Sequence, residues 1–429
     1  MTSLLIKNGR VLDPGSSLDG KRDVLIENGK IKKIGSRVQC PGVRIIDAKG
    51  MLVLPGLIDM HTHLRDPGRP DKETIASGTR AAALGGFTSI CCMANTDPAI
   101  DTPAVVKYVR EKAAKEGAVN VYPIAAVTRG LAGEALTEIG LMLEAGAVAF
   151  SDDGNPLMQA DVMRRALEYT RQFNVPVIAH CEDKRLSHGG SMNESALSTA
   201  IGLPGIPALS EEVMVARDII LAREYGRVHI AHVSSARSVE LIRQAKRQGV
   251  PVTCETCPHY FSLTEEAVRQ YDTNAKVNPP LKTRADVRAV IRGLNDGTID
   301  AIATDHAPHN IEEKKVEFDQ AAMGVVGLET ALALVLTKLV ETKLMPLKKA
   351  LAKMTTAPSR ILGLGKGTLK TGAEADLIIV DPKAEWIVDA DKFASKSRNT
   401  PFNGQKLKGK VLYTVVGGKV VVRDGKLLV

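Results

Sequence analysis

The sequence has few aromatic residues, few cysteines and no long apolar run. Phe, Trp and Tyr together make up 3% of its 429 residues, and its basic residues are scattered among acidic ones. Nucleic-acid binding usually combines clustered basic residues with stacking aromatics, so we do not expect a nucleic-acid partner. No uncharged apolar run reaches the ~18 residues that a membrane-spanning helix needs, which argues against a membrane protein.

The six cysteines are spread thinly along the chain. This spacing does not suggest a disulfide framework, so we expect a reducing, cytoplasmic environment. Residues 1–14 predict a strand and a turn rather than the apolar segment of a signal peptide. Hydrophobic residues make up 44% and charged residues 25%, as in ordinary globular proteins. The net charge of +8 would suit an anionic small-molecule substrate.

The two ends of the chain share one pattern. Short β-type runs separated by Gly, Asn and Asp turns occupy residues 3–54, and they return in ADLIIVDP and VLYTVVGGKVVVRDGKLLV. We therefore predict that residues 1–55 and 364–429 fold together into a small composite β-sandwich domain.

The middle of the chain, residues 56–363, has a different rhythm. Eight apolar, strand-like runs alternate there with amphipathic stretches of ~10–15 residues, which predicts parallel βα units. The runs are MLVLPGLIDMH, FTSICCMAN, VNVYPIAAV, AVAFSDD, VPVIAHC, RVHIAHV, VPVTCET and DAIATDH. Eight repeats over ~300 residues favour an α/β fold of the closed (β/α)8 TIM-barrel type over an open sheet.

Histidines gather at the ends of these runs. Seven of the nine lie at or just beyond a predicted strand end: His61, His63, His180, His232, His259, His306 and His309. Catalytic groups of such barrels lie at the carboxyl ends of the strands, so these side chains are expected to converge. His61 and His63 are two apart on a strand and therefore point to the same face. Imidazoles with carboxylates such as Asp305 suit zinc better than manganese or iron.

Two neighbouring aspartates follow the fourth run, in AFSDDGNP. If Ser151 faces the barrel interior, the spacing of two points Asp153 into the mouth and Asp152 outward; a bulge would exchange them. A carboxylate at this place can bridge two metal ions. His229, three residues before His232, is expected on the opposite face of its strand, as a wall residue.

These motifs resemble the amidohydrolase superfamily and, within it, the class I bacterial dihydroorotases. The motifs are HTHLRDPG (61–68), MANTDP (93–98), FSDDG (150–154), AHCED (179–183), AHVSSA (231–236), NPPLK (278–282), ATDHAPH (303–309) and GLET (327–330). The resemblance implies a zinc-dependent cyclic amidohydrolase that interconverts L-dihydroorotate and N-carbamoyl-L-aspartate in pyrimidine biosynthesis. It also implies a homodimer and a possible complex with aspartate carbamoyltransferase.

The resemblance also implies roles for individual residues. Two zinc ions per chain would be bridged by Asp153 and hydroxide, with Asp153 in the place of a carboxylated lysine found in hydantoinases. The metal ligands would be His61, His63, Asp153, His180, His232 and Asp305. The substrate would contact His63, Arg65, Asn95, Asn278, His309, Met323 and Gly324, of which Arg65, Asn95 and His309 would bind its carboxylate. Asp305, as a ligand, can also accept a proton and pass it to the departing nitrogen.

Two other functions remain open. The motif ETCPHY (255–260) looks more like hydantoinases and allantoinases, whereas Asp153 stands where those enzymes carry lysine. A non-catalytic subunit beside aspartate carbamoyltransferase is the second alternative, but it would have no need for six converging metal ligands. The family usually has proline at Ala94 and an aromatic residue at Met323, and these departures concern ring packing rather than catalysis.

Two local motifs receive plainer interpretations. Cys254 and Cys257 form a single CxxC without the second pair that a structural zinc needs. The charged stretch EEKK (312–315) is an exposed loop or, because it follows the eighth strand, a mobile lid over the mouth.

Overall fold

The computed structural model describes residues 3–429, and the barrel forms from the middle of the chain. Its eight strands are β6 (Leu57–Thr62), β7 (Phe87–Cys92), β8 (Asn120–Ala125), β9 (Ala149–Phe150), β10 (Val177–Ala179), β13 (Val228–Ile230), β14 (Val252–Thr256) and β15 (Ala301–Ile302). They lie side by side in chain order and every neighbouring pair is parallel. A parallel bridge joins Thr62, at the end of the first barrel strand, to His306, which follows the last one, so the eight strands nearly close a ring. The predicted barrel fold is confirmed.

Helices cover the outside of the barrel. They are α1 (Ile75–Gly85), α2 (Pro103–Glu116), α3 (Ile139–Ala145), α4 (Ala160–Arg171), α5 (Ala196–Ile201), α6 (Leu209–Tyr225), α7 (Ala236–Arg247), α8 (Pro258–Ser262), α9 (Arg284–Asp296), α10 (Ile311–Lys314), α11 (Ala331–Val335), α12 (Leu347–Ala352) and α13 (Thr356–Leu362). A short parallel pair, β11 (Met192–Asn193) and β12 (Gly205–Ile206), lies outside the barrel sheet. Among residues 3–429, none of these helices combines the length and apolar character needed to cross a bilayer.

The helix ends follow from local sequence. Before α1, the Thr74 side chain accepts a hydrogen bond from the Ser77 amide while the Ser77 hydroxyl bonds back to the Thr74 amide. Thr283 and Asp286 make the same reciprocal cap before α9. Such caps satisfy amide groups that the first turn leaves free. Gly86 ends α1 with φ +87°, a left-handed conformation that favours glycine.

The two ends of the chain build one further sheet, here called the side sheet. Its strands are β1 (Ser3–Leu12), β2 (Asp19–Glu27), β3 (Lys30–Gly35), β4 (Arg44–Asp47), β5 (Leu52–Pro55), β16 (Leu377–Ile387), β17 (Lys406–Val416), β18 (Lys419–Arg423) and β19 (Lys426–Leu427). The main path runs β19–β18–β17–β16–β5–β1–β2–β3, with β4 beside β1. The antiparallel pair β16–β5 therefore joins the two ends of the chain.

The side sheet encloses an apolar core of its own. Ile6, Ile26 and Ile31 from the N-terminal strands pack with Leu377 and Val415 from the C-terminal strands, and all five are buried. The edge strand β3 contacts the segment before the central strand β16, since Ile31 donates its amide to Ala373 O. The predicted joining of both chain ends in one β unit is confirmed, whereas the exact division at residues 55/56 and 363/364 stays a prediction.

The first predicted run, MLVLPGLIDMH, is not one strand. It divides into β5 in the side sheet and β6 in the barrel, with Gly56 between them. A Cβ atom at Gly56 would lie 2.1 Å from the Thr88 Oγ1 atom, so the close approach of these two backbones requires glycine. The chain thus passes directly from the side sheet into the strand that carries His61.

Candidate active site

The predicted residues converge at the carboxyl end of the barrel strands. A cavity of about 180 Å³ opens there. It is lined by His63, Arg65, Asn95, Asp153, Gly154, His180, His232, Asn278, Asp305, Ala307, Met323 and Gly324. A larger cleft of about 380 Å³ between barrel and side sheet is lined by residues such as Trp386 and Phe393 and by no histidine. We therefore place the candidate active site at the smaller cavity.

Asp153 lies at the centre of four histidines. Its Oδ2 atom is 3.3 Å from His61 Nε2 and 3.5 Å from His63 Nε2. Its Oδ1 atom is 3.3 Å from His180 Nδ1 and 3.2 Å from His232 Nε2. One carboxylate therefore faces two pairs of imidazoles, one pair with each oxygen.

Asp305 joins the pair from the first strand. Its Oδ1 atom lies 3.1 Å from His63 Nε2 and 3.5 Å from His61 Nε2. His61, His63 and Asp305 form one group, and His61, Asp153 and His232 another, in which the ligand atoms lie within 4.8 Å of one another. Five of the six predicted metal ligands are thus brought together in two overlapping groups, and the sixth, His180, lies beside them through its contact with Asp153.

Asp152 points away from the mouth. Its Oδ1 atom accepts hydrogen bonds from the amides of Val127 (2.8 Å) and Thr128 (3.0 Å), and its other oxygen accepts from the Thr128 hydroxyl. Ser151 donates its hydroxyl to Ile178 O inside the barrel. The alternation expected from the sequence therefore holds at this strand end, and Asp153 is the aspartate of the pair that enters the cavity.

The electrostatics of the cluster favour a cation. Burial alone would raise the pKa of Asp153 and lower that of His61. Their mutual attraction, together with the Asp305 charge on His61, outweighs this, so the pKa of Asp153 lies well below and that of His61 well above its usual value. The pKa of Asp305 is lowered as well, because the positive charge of His61 outweighs its burial. Both carboxylates therefore stay ionised at neutral pH.

Three of the four central histidines contact an oxygen atom through the ring nitrogen that faces away from Asp153. His61 Nδ1 lies 2.6 Å from Glu255 Oε1, and His63 Nδ1 lies 2.8 Å from Asn95 Oδ1. His180 Nε2 lies 3.0 Å from a carboxylate oxygen of Glu182. In a neutral ring an oxygen acceptor fixes the proton on the nitrogen it faces, so the other ring nitrogen would offer its lone pair to a metal ion beside Asp153.

Sequence reasoning did not identify Glu255 and Glu182 as partners of these rings. Glu182 follows His180 by two residues, so the spacing argument used for His61 and His63 could have found it. Glu255 is 194 positions from His61, and no local pattern joins them. His229 does not line the cavity; its Nδ1 lies 2.9 Å from Thr253 Oγ1 and its Nε2 lies 3.4 Å from Glu255 Oε2, the carboxylate that also contacts His61. Its expected place on the opposite face of the strand stays a prediction.

Three of the seven histidines, His259, His306 and His309, do not join the central cluster, although His259 forms a third close group with Cys257 and Asp305. His306 lies 3.2 Å from Glu73 Oε2 and accepts the Gly327 amide on Nδ1, so it holds loops together beside the mouth. His259 is buried next to Tyr260 with its ring centroid 4.2 Å away, and burial lowers the pKa of His259 to about 4. The expected convergence of seven side chains on one rim is therefore too broad.

The predicted substrate-binding residues surround the cavity at different depths. Arg65 is half-buried, and burial lowers the pKa of its guanidinium; its Nε donates to Pro308 O at 3.3 Å. Asn278 donates Nδ2 to Glu182 Oε2 at 3.0 Å. His309 sits just behind the lining, because its Nε2 is 3.0 Å from Met323 O.

The Met323–Gly324 turn forms one wall. Gly324 has φ +149°, and a Cβ atom there would lie 2.8 Å from Ala307. This position therefore requires glycine, and the backbone rather than a side chain faces the cavity.

The stretch EEKK is part of the roof. Ile311–Lys314 forms the short helix α10, and Glu313 lies 2.7 Å from Lys72 Nζ and 2.9 Å from His309 Nδ1. Lys314 is buried and donates to backbone carbonyls, including Ala322 O at 2.7 Å. The exposed-loop interpretation therefore holds only for Glu312 and Lys315, which are exposed, whereas movement of this segment stays a prediction.

Known proteins resemble this chain over its whole length. Residues 52–421 match the amidohydrolase family. A dihydroorotase of Acetivibrio thermocellus is 57% identical over 427 residues, which are 99% of this chain and 100% of that protein. One of Pelotomaculum thermopropionicum is 58% identical over 422 residues, 98% of this chain and 99% of that protein. The solved L-hydantoinase (dihydropyrimidinase) of Arthrobacter aurescens has a TM-score of 0.90 at 27% identity, covering 100% of this chain and 98% of that one.

Proposed function

The chain belongs to the amidohydrolase family, and on that basis we propose that it is a dihydroorotase, which interconverts L-dihydroorotate and N-carbamoyl-L-aspartate. The full-length likeness to dihydroorotases supports the reaction. The geometry of the barrel mouth supports a substrate that carries a carboxylate.

The observation that carries the proposal is the unpaired guanidinium of Arg65. It is half-buried at the cavity, and within residues 3–429 it forms no salt bridge; its one side-chain hydrogen bond goes to Pro308 O. A buried cation is costly unless a charged partner compensates it. A substrate carboxylate, bound in a bidentate hydrogen bond, would supply that partner. Dihydroorotate carries such a carboxylate, whereas hydantoin and allantoin do not.

The side chains of the mouth fit divalent metal ions. His61 Nε2 is buried without a hydrogen-bond partner, although its ring is held from behind by Glu255. Imidazole nitrogens with carboxylate oxygens suit zinc. In this proposal His61, His63 and Asp305 would hold one zinc ion, His180 and His232 would hold another, and Asp153 would serve both. Such ions, when bound, polarise a carbonyl group and lower the pKa of water.

The remaining steps are performed by the protein's own groups. Arg65 binds the substrate carboxylate together with the Asn95 amide, whose Oδ1 is already engaged by His63 and whose Nδ2 is thereby directed to the substrate. Asn278 and the Gly324 turn contact the ring. The ionised Asp305 carboxylate accepts a proton and returns it to the ring nitrogen as the amide bond breaks. We place the enzyme in the cytoplasm, as a homodimer with possible attachment to aspartate carbamoyltransferase.

The proposal is tested by assaying the purified chain on dihydroorotate, hydantoin and allantoin, before and after chelation and after zinc is restored. We expect hydrolysis of dihydroorotate alone, lost on chelation and recovered with zinc. Turnover of hydantoin or allantoin instead would favour the alternative suggested by ETCPHY. Inactivity on all three with zinc bound would favour the structural subunit.

A further inference from the structure

The Glu182 carboxylate contacts both a predicted metal ligand, His180, and a predicted substrate-binding residue, Asn278. Its Oε2 atom lies 3.0 Å from His180 Nε2, 3.0 Å from Asn278 Nδ2 and 2.7 Å from Lys184 Nζ. Its Oε1 atom accepts the Ser187 hydroxyl at 2.6 Å. The side chain is 6% exposed, so these contacts replace the water that an ionised carboxylate would otherwise bind. Glu182 itself is not among the residues that line the cavity.

The contact with His180 determines which ring nitrogen faces the metal site. A carboxylate accepts only, so His180 Nε2 must carry the proton that lies between them. In the neutral ring His180 Nδ1 then carries the lone pair that a metal ion can bind, and this atom lies 3.3 Å from Asp153 Oδ1 and 2.9 Å from His232 Nε2. Partners of this kind typically change metal affinity 10–100-fold when removed.

The contact with Asn278 determines which end of an amide faces the substrate. Asn278 lines the cavity and donates a hydrogen bond from Nδ2 to Glu182 Oε2. Its carbonyl oxygen is therefore the group available to the substrate, and that oxygen can accept a hydrogen bond from a ring N–H. A rotated amide would present its N–H group to the substrate and would place its carbonyl oxygen against the Glu182 carboxylate, where neither oxygen can donate a hydrogen bond.

We propose that Glu182 is a positioning residue that sets the metal-facing nitrogen of His180 and the substrate-facing oxygen of Asn278 at the same time. The second part rests on the proposed function, because it concerns the substrate ring. Glu255, behind His61, differs in this respect, since its nearest side-chain partners are His61 and His229. Glu182 thus couples metal retention to ring recognition, whereas Glu255 supports the metal side only.

The test compares Glu182→Ala with Ser187→Ala. Ser187→Ala is the matched control, because it removes the partner of Oε1 and leaves the three contacts of Oε2 in place. Each variant is loaded with zinc and mixed with a chromogenic chelator, and the rate of zinc release is measured without substrate. We expect release from Glu182→Ala to be about 10–100-fold faster than from wild type. Release from Ser187→Ala should stay within about threefold.

The substrate side is measured by KM for dihydroorotate in Glu182→Ala, Asn278→Ala and the double variant. If Glu182 acts through Asn278, the two effects on KM are not additive, and the double variant is no worse than the poorer single one. Circular dichroism and thermal unfolding establish that each variant is folded. If Glu182→Ala does not fold, Glu182→Gln serves instead, and it should release zinc at least about threefold faster than wild type.

Wild-type zinc release from a folded Glu182→Ala overturns the proposal, as does an equal acceleration in Ser187→Ala. Additive effects on KM overturn its substrate part. A wild-type protein that binds zinc but does not hydrolyse dihydroorotate would instead overturn the proposed function, because zinc release is read without any substrate.

Discussion

The barrel mouth and the side sheet bury different things. The side sheet buries aliphatic side chains such as Ile6 and Ile26 in a core of their own. The mouth buries imidazoles and carboxylates, and several of their atoms, including His61 Nε2 and His232 Nδ1, have no hydrogen-bond partner among the described residues. Unpaired buried polar groups cost folding free energy. The core of the side sheet therefore stabilises the fold, whereas the polar groups buried at the barrel mouth lower the free energy of unfolding and form a site for ligands.

The two regions also differ in which residues adopt a left-handed backbone conformation. In the side sheet, left-handed residues other than glycine include Asn8, Asn28 and Asp424, residue types that tolerate this conformation at bulges and turns. At the mouth they are Arg65, with φ +57°, His232, with φ +38°, and Asp305, with φ +48°, and of these residue types arginine tolerates the conformation least. Strained residues of this kind persist where the surrounding structure holds them and are common at active sites.

The largest expected effect comes from Asp305→Asn in the mouth. Asparagine keeps the shape and an oxygen for the metal, but it cannot accept and return a proton. Turnover of dihydroorotate should fall by two or more orders of magnitude, while zinc content changes much less. Metal stoichiometry measured beside turnover checks this, and thermal unfolding should be unchanged. Near-normal turnover with zinc bound would assign the proton transfer to another group, of which His309 is the first candidate.

Arg65→Met tests the carboxylate site in the same region. We expect a loss of ~2–4 kcal/mol in transition-state binding, measured as kcat/KM for dihydroorotate, because a charge-assisted hydrogen bond disappears. Any activity on dihydrouracil, the same ring without the carboxylate, should change little. Equal losses on both substrates would mean that Arg65 has a structural role and that the carboxylate binds elsewhere.

Ile6→Ala in the side sheet should give the opposite result. Ile6 is fully buried, so the free energy of unfolding should fall by ~2–5 kcal/mol in denaturant titrations, while kcat stays near that of wild type. Ile45→Ala is the control, because Ile45 lies on the neighbouring strand β4 and is 57% exposed. Its effect should stay within ~0.5 kcal/mol. A large loss of kcat in folded Ile6→Ala would break the division between the two regions.

The smallest effect concerns Glu329, which lies between the barrel and the C-terminal segment and accepts the amides of Ala394 and Ser395. Burial raises the pKa of Glu329 to about 8 from its usual 4.5. Between these values the folded protein keeps a proton that the unfolded chain has lost, so stability falls as the pH rises from 4.5 through 8. Glu329→Gln should flatten this part of the Tm–pH curve. An unchanged slope would show that Glu329 is ionised in the folded protein.

Much of this arrangement could be predicted from the sequence because it depends on short-range periodicity. The period of two at a strand end placed His61 with His63 and separated Asp153 from Asp152. Contacts between distant strands could not be predicted, such as the one between His61 and Glu255, because no local pattern records which strands become neighbours. The clamping of Glu313 against Lys72 was missed for the same reason, since it joins the loops after the eighth and first strands.

The passage through Gly56 has a consequence for modularity. The side sheet and the strand that bears His61 are consecutive segments of one extended chain, with a single glycine as the joint. The sheet therefore cannot be trimmed away or exchanged with that of a relative without resetting where the first barrel strand begins. A chimera whose crossover point lies within residues 52–62 would shift the strand register of His61 and His63. A crossover at the exposed strand β4 would leave that register intact.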